Sequence, residues 1–344
     1  MKYDICVVGP RTLVGETLLE ILEERAFPVN ELYLLDAGEA VGETVVFQGS
    51  DYGVGDIAEF DFAKVKLAFF CGDASLALEH APRAAAQGCL VIDDSDAFRR
   101  EPDVPLVVPE VNPEALTTRP ARGIITSPGT CATLLALTLQ PLAQAVGLEA
   151  VRVVTLQSVS GTGRAAVEEL ARQSMDLFNQ NALVCEVFPK QIAFNLLPQI
   201  GSQDQTGYTT EESKLMEETR RLMRLPDLVM DATCVRVPVF YGHALVAQVR
   251  TRRGLTRATA QRLFEAAPGI VLYDRPEAGG CPTPVVEAAT HDPVFVGRVR
   301  LSAAENAKGI TYWAVVDNMR KGAALNCVQI AEKLLQTRQH SPLM

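Results

Sequence analysis

Cys131 follows Ser127-Pro128-Gly129-Thr130 and opens a run of apolar residues and good helix formers. A thiol at a helix start meets unpaired N–H groups and the positive end of the helix dipole, which lowers its pKa and prepares a nucleophile. The competing reading is a buried, inert thiol, the ordinary state of a cysteine, and the chain has eight of them. Cys131 stands apart because it follows a glycine turn where the sequence pattern changes. His243, one of four histidines, ends the run Arg236-Val237-Pro238-Val239-Phe240-Tyr241-Gly242-His243 beside a glycine that lets a backbone or ligand come close. Arg236 lies seven residues earlier, a spacing that puts the two on opposite faces of a regular strand. Both can serve one site only if Pro238 or Gly242 turns the chain; a structural histidine is the alternative. Glu211 and Lys214 share one helical face within the capped start Thr209-Thr210-Glu211-Glu212-Ser213-Lys214. An ordinary surface ion pair would account for them equally.

Upstream, Ile5-Cys6-Val7-Val8 runs into Gly9-Pro10-Arg11-Thr12-Leu13-Val14-Gly15. A dinucleotide-binding turn asks for a glycine at the tight turn, a second where the backbone nears the pyrophosphate, and a third where helix packs on strand. Gly9 and Gly15 supply the first and third, so the helix N-terminus can still face an anion. Thr12 replaces the second and adds bulk where the cofactor must come close. A purely structural strand-to-helix turn is the alternative. Asp36 ends the second expected strand, 21 residues after Gly15, where a carboxylate can accept hydrogen bonds from an adenosine ribose and repel a 2′-phosphate. Glu39 reinforces that repulsion, so NAD is easier to place than NADP. A solvated aspartate opening the turn Asp36-Ala37-Gly38 explains the residue as well.

These groups need a scaffold. Short β-branched runs at 3–8, 31–35, 67–70 and 89–93 alternate with helical patterns at 14–24 and 74–87. That alternation predicts an α/β fold with a Rossmann-like, doubly wound parallel sheet. Beyond Gly129 come a helix at 132–145 and longer alternating strands at 150–158, 232–240 and 244–251. They suit an α+β domain whose mixed sheet packs one face on helices and leaves the other to a partner. The expected division is 1–130 as the dinucleotide-binding domain, completed by a C-terminal helix at 322–344, and 131–321 as the second domain.

The chain has 344 residues, 48% hydrophobic and 22% charged, which excludes disorder. Its 32 basic and 42 acidic side chains give a formal charge of −10, a field that repels polyanions and excludes nucleic acid as an expected partner. The opening MKYDICVVGP lacks the pattern of a secretory signal and no run of about 18 apolar residues occurs, so a cytoplasmic, membrane-free protein is expected. Without a Cys-x-x-Cys pair or clustered histidines, no metal site is expected, and most cysteines read as buried thiols in a reducing compartment.

Over nearly its whole length the chain resembles the aspartate-semialdehyde dehydrogenase family. The resemblance is carried by Met230-Asp231-Ala232-Thr233-Cys234-Val235-Arg236-Val237 through Gly242-His243-Ala244. It is carried also by Ala97-Phe98-Arg99 before Pro105-Leu106-Val107-Val108-Pro109-Glu110-Val111-Asn112, by Gln157-Ser158-Val159-Ser160-Gly161-Thr162-Gly163, and by Val316-Asp317-Asn318-Met319-Arg320-Lys321-Gly322. It implies that Cys131 is the nucleophile that forms an acyl-thioester, that His243 is the general acid/base, and that Gln157 orients the reacting carbonyl. It implies further that Arg236 and Glu211 hold the amino-acid end of the substrate and that Arg99 and Lys214 receive phosphate. For the cofactor, NADP by family habit, it implies contacts at Thr12, Leu13, Val14, Ser160, Gly161 and Asn318. The implied reaction is reductive dephosphorylation of aspartyl-phosphate to aspartate semialdehyde, in a homodimer formed through the second domain.

The departures cluster. Thr130 stands where the family carries asparagine before the nucleophile, Thr12 stands for glycine, and Asp36 to Glu39 replaces the ligands of a 2′-phosphate. Asp93, Asp94 and Asp96 add carboxylates ahead of Arg99, each close pair weakening anion binding by roughly 1 kcal/mol in a water-like dielectric. Two expectations follow: an active dehydrogenase with altered coenzyme preference, or a dimeric paralogue that keeps the catalytic residues but acts as a binding or regulatory protein.

Overall fold

Ile5 and Val7 pack into one apolar cluster and Cys6 and Val8 into another, all four fully buried. A strand covered on both faces is written as a continuous apolar run. In the computed structural model, which describes residues 2–302 and 308–338, this strand is the centre of a seven-stranded sheet. The chain divides into two compact units, Met1–Gly129 with Ala323–Met344, and Thr130–Gly322.

The first unit runs β1 (Tyr3–Val8), α1 (Leu13–Glu24), β2 (Val29–Asp36), β3 (Thr44–Phe47), β4 (Ser50–Asp56), β5 (Leu67–Phe70), α2 (Ala74–Ala86), β6 (Leu90–Asp93) and β7 (Ile124–Thr126). Its strand order is β3-β4-β2-β1-β5-β6-β7, parallel throughout except for the β3–β4 hairpin. β1 pairs in parallel with β2 on one side and β5 on the other, so the winding reverses there. Open α/β sheets take their ligands beyond the strand ends at such a reversal.

The second unit contains α3 (Thr130–Val146), β8 (Leu148–Gln157), α4 (Arg164–Phe178), α5 (Thr210–Met223), β9 (Val229–Arg236), β10 (His243–Thr251), α6 (Arg257–Ala266), β11 (Ile270–Leu272), β12 (Val294–Leu301) and β13 (Gly309–Val316). Its mixed sheet has the order β11-β12-β13-β10-β8-β9. Helices α3, α5 and α6 pack on this sheet, over a face that buries Val151, Val153 and Val249. The alternate residues Arg152, Val154, Thr233 and Gln248 are exposed on the other face. Finally α7 (Leu325–Arg338) belongs to the first unit, where Leu325, Val328, Ile330 and Leu334 join Ile5, Leu18 and Phe69 in one cluster. Residues 339–344 of the expected final helix lie outside the described residues. Among those described, no helix is long and apolar enough to cross a membrane.

One boundary corrects the sequence expectation. The strand expected over 232–240 ends at Arg236, and His243 opens the next strand rather than closing the same one. The chain turns between them through Gly242, at φ +87°, where a Cβ would lie 2.7 Å from the Pro284 carbonyl oxygen.

Candidate active site

That turn resolves the odd spacing. β8 lies between β9 and β10, and the register sets Gln157 opposite Arg236 on one side, while Leu156 opposite Ala244 brings His243 level with it on the other. Residues side by side across a sheet share a face, so three candidates from distant parts of the sequence end in one row, all buried. Two residues back along the strands, Thr155 stands opposite Cys234 on that same face. The Gln157 amide donates to the Thr155 hydroxyl at 3.2 Å and to the Glu211 carboxylate at 3.0 Å. Glu211 therefore faces the row from the first turn of α5, which Thr209 and Glu212 close with a reciprocal capping box. Lys214 stands one turn further on, half-buried.

Cys131, in the first turn of α3, is only 3% exposed. Its thiol and that of Cys234 both hydrogen-bond with Thr155, and burial pushes the Cys131 thiol well above its ordinary range, with the charge of Glu211 adding to the shift. Arg236 and the Thr155 hydroxyl oppose it. The helix start thus does not yield the lowered thiol pKa expected from the sequence: desolvation outweighs the dipole at a terminus that is packed over. His243 is displaced in the opposite direction, down to about 3, by burial and then by the neighbouring Arg236 charge. Thiol and imidazole are both neutral at rest.

His243 Nδ1 accepts the Ser158 backbone N–H at 3.2 Å and lies 3.0 Å from the Ser158 hydroxyl. Arg236 donates to the Ser158 carbonyl at 2.7 Å. Asn318 accepts the Gly242 N–H at 2.8 Å and donates to Ser160 at 2.9 Å. A Cβ on Gly161 would sit 3.0 Å from His243 Nε2 and 3.1 Å from the Arg236 guanidinium, so this glycine keeps both groups approachable. Thr130 donates to the Gly322 carbonyl at 3.1 Å, and a Cβ on Gly322 would fall 2.5 Å from the Thr130 methyl. Thr130 and Gly322 fit as a pair.

Nothing in the sequence singles out Thr155 or Lys190, and Ser158 and Cys234 stand there only within longer motifs. Only the period-2 relation of Thr155 to Gln157 could have drawn attention to the first. Lys190 and Arg236 line a cavity of about 570 Å³ with Phe188, Leu197 and Gln199. The carboxylate of Glu169 secures the adjoining loop by accepting the backbone N–H groups of Glu186 at 2.9 Å and Phe188 at 3.4 Å.

The first unit carries its own candidates. Gly9 has φ +75°, and a Cβ there would lie 2.7 Å from Gly72 N in the loop after β5. The Thr12 side chain is tied into the turn. Its hydroxyl lies 2.9 Å from each of the Gly9 and Cys71 carbonyl oxygens and accepts the Gly15 N–H at 2.9 Å, capping α1. The amides of Leu13 and Val14 precede the helix's own hydrogen-bond ladder and suit an anion. Glycine turn, helix terminus and the Asp36 carboxylate at the end of β2 together fit a dinucleotide. Arg11, within the turn, forms an ion pair with Glu43. Arg99 donates to the Ser127 carbonyl at 2.9 Å and the Asp94 carbonyl at 2.5 Å. Burial raises Asp94 to about 7 and Asp93 to about 6, so Asp94 carries only part of its charge near neutrality and opposes an anion less than the sequence suggested.

Two family models match the chain. Residues 4–119 match the semialdehyde dehydrogenase NAD binding domain and residues 139–321 the semialdehyde dehydrogenase dimerisation domain. The chain is 43% identical to the aspartate-semialdehyde dehydrogenase of Legionella pneumophila, over 96% of this chain and 95% of that one. It superimposes on the crystal structure of aspartate semialdehyde dehydrogenase II from Vibrio cholerae with a TM-score of 0.95 at 42% identity, covering 98% of this chain and 99% of the other. A structure of the Vibrio enzyme complexed with ASA matches equally well, at a TM-score of 0.95.

Proposed function

The chain belongs to the aspartate-semialdehyde dehydrogenase family, and from that membership we propose that Cys131 is the nucleophile of an oxidoreductase that converts aspartyl-phosphate to aspartate semialdehyde. The observation that carries this reading is the convergence of Gln157, Arg236 and His243 in one buried row, with Glu211 and Cys131 facing it. In the reductive direction the Cys131 sulfur attacks the acyl-phosphate carbon and its proton passes to the departing phosphate, leaving a thioester. A bound nicotinamide dinucleotide supplies hydride chemistry. Reduction of the thioester carbon gives a thiohemiacetal oxyanion, whose collapse releases the aldehyde and a thiolate that takes a proton from solvent to restore the thiol. His243, the family's acid/base position, meets the carbonyl oxygen, and Gln157 orients it. Arg236 and Glu211 hold the carboxylate and ammonium of the amino-acid end, the guanidinium by paired hydrogen bonds. Arg99 and Lys214 receive phosphate.

Gly9, Thr12, Leu13, Val14 and Gly15 form the proposed cofactor turn, with Ser160, Gly161 and Asn318 on the nicotinamide side. The open face of the second unit's sheet, with Val154 42% and Val229 65% exposed, suits a two-fold contact between copies. Phosphate-dependent reduction of NAD or NADP with aspartate semialdehyde tests the activity. Turnover is expected, and its absence with either coenzyme, from protein shown to be folded and dimeric, would favour the non-enzymatic paralogue.

NAD is expected to bind at least about fivefold more tightly than NADP, because a like charge near Asp36 costs about 1 kcal/mol or more. Asp36→Ala should narrow the gap. Calorimetric titration of both coenzymes checks this, and a clear NADP preference in the parent removes Asp36 from the ribose site.

A further inference from the structure

A neutral histidine carries one ring proton, and the nitrogen that holds it decides whether Nε2 gives or receives a hydrogen bond. At His243 the choice is made by a peptide group. The Ser158 backbone N–H, 3.2 Å from Nδ1, can only donate, so Nδ1 offers its lone pair and the proton resides on Nε2. The Ser158 hydroxyl, 3.0 Å from the same nitrogen, has a single proton to give, either there or to Asn318 Oδ1. Ser158 is itself held on several sides. Its carbonyl accepts from Arg236 at 2.7 Å, and its hydroxyl lies 3.2 Å from Asn318 Oδ1 and 3.1 Å from Ser160 Oγ. Asn318, 1% exposed, also fixes the Gly242 N–H at 2.8 Å, immediately before the histidine. On the other side of the ring, the missing side chain of Gly161 leaves Nε2 approachable. We propose that Ser158, braced by Asn318, is a positioning residue that holds His243 in its Nε2–H tautomer, so that the resting site presents a hydrogen-bond donor and not a base to the reacting oxygen.

This deepens the proposed role of His243 and rests on it. When hydride adds to the thioester carbon, the carbonyl π pair moves to oxygen and Nε2–H binds the resulting oxyanion, the proton staying on nitrogen. An imidazolium would have to place a second proton on Nδ1, against the Ser158 N–H. Burial and the Arg236 charge act in the same sense, and the Gly242 carbonyl is the group that opposes them.

The test is nitrogen NMR of the full-length protein carrying ring-labelled histidine, with His243→Asn assigning the resonance among four histidines. The expected spectrum shows Nδ1 unprotonated and Nε2 protonated, without titration through the ordinary histidine range near pH 6.5. Ser158→Ala keeps the peptide N–H and should therefore keep the Nε2–H tautomer, while loss of the bracing hydroxyl lowers kcat roughly tenfold at unchanged KM, the scale of one lost hydrogen bond; Ser158→Thr should restore kcat. A parent protein with its proton on Nδ1, or with an imidazolium at neutral pH, overturns the proposal. So does a folded Ser158→Ala whose proton has moved to Nδ1, since the peptide N–H would then not make the choice. The tautomer is read without turnover, so an inactive protein would refute the catalytic assignment and leave this result standing.

Discussion

Cys131→Ser is expected to lower phosphate-dependent turnover by at least about 10³-fold, the scale on which removal of a nucleophile acts, while leaving the thermal unfolding transition close to that of the parent. Serine nearly matches the thiol in size, but its hydroxyl ionises far less readily and cannot form the thioester. Cys234→Ser is the internal control. That thiol is also buried, stands opposite Thr155 in the sheet and shares its hydroxyl with Cys131, so it differs chiefly in position. Its replacement should keep turnover within about tenfold, as expected when only a neutral hydrogen bond is altered. The opposite ranking of the two variants would mean that the nucleophile has been misassigned. A second measurement follows from electrostatics. Burial holds the Cys131 thiol above its ordinary range, so the thiolate fraction of the ligand-free protein keeps rising beyond about pH 8.5, where a free cysteine is half ionised. Alkylation of Cys131, followed by mass spectrometry, should accelerate through that range without levelling off. A plateau below neutral pH would show a thiolate already formed at rest and contradict the buried, neutral pair.

What the sequence makes legible depends on how locally each feature is encoded. β1 and β5 coincide with their apolar runs because strands buried on both faces need no alternation. The β3–β4 hairpin escapes because its turn is Gln48-Gly49, both at positive φ, without the Asn-Gly or Asp-Gly that usually marks such a turn. β7 has three residues, too few for a period. In the site, Cys131 and His243 stand out through residue type and flanking glycines, yet their ionisation is set first by burial and then by Glu211, Arg236 and Thr155, which come from three other elements. Thr130 shows the same limit. As a substitution for asparagine it reads as a defect, but its hydroxyl reaches the Gly322 carbonyl at 3.1 Å, and Gly322 has no side chain to collide with it. That compensation lies 192 residues away in sequence, beyond any local pattern. The departure that motivates a non-enzymatic paralogue therefore has a structural accommodation within the same unit.

Gly15→Ala offers the sharpest test of the cofactor turn, because local propensity and tertiary packing predict opposite signs. Within a helix, alanine is favoured over glycine by about 1 kcal/mol, so an unconstrained position in α1 would be stabilised. At Gly15, however, the added Cβ would lie 2.0 Å from the Gly9 carbonyl oxygen and 2.9 Å from Pro10 Cα. All of these are backbone atoms, and no rotamer change can relieve the overlap. The helix must lift from the turn, which pulls the Gly15 N–H from the Thr12 hydroxyl, now 2.9 Å away. The expected loss is about 2–4 kcal/mol, the upper range for overpacking, read from urea unfolding. Gly53→Ala in β4, where an added Cβ meets nothing within 4 Å, should stay within about 0.5 kcal/mol of the parent. The same proteins titrated with NAD separate packing from binding. If the turn holds the pyrophosphate, Gly15→Ala loses the coenzyme because the Leu13 and Val14 amides move with the helix, while Gly53→Ala keeps it. A destabilised Gly15→Ala that still binds NAD with the parent's affinity would leave Gly15 a packing residue and place the dinucleotide elsewhere.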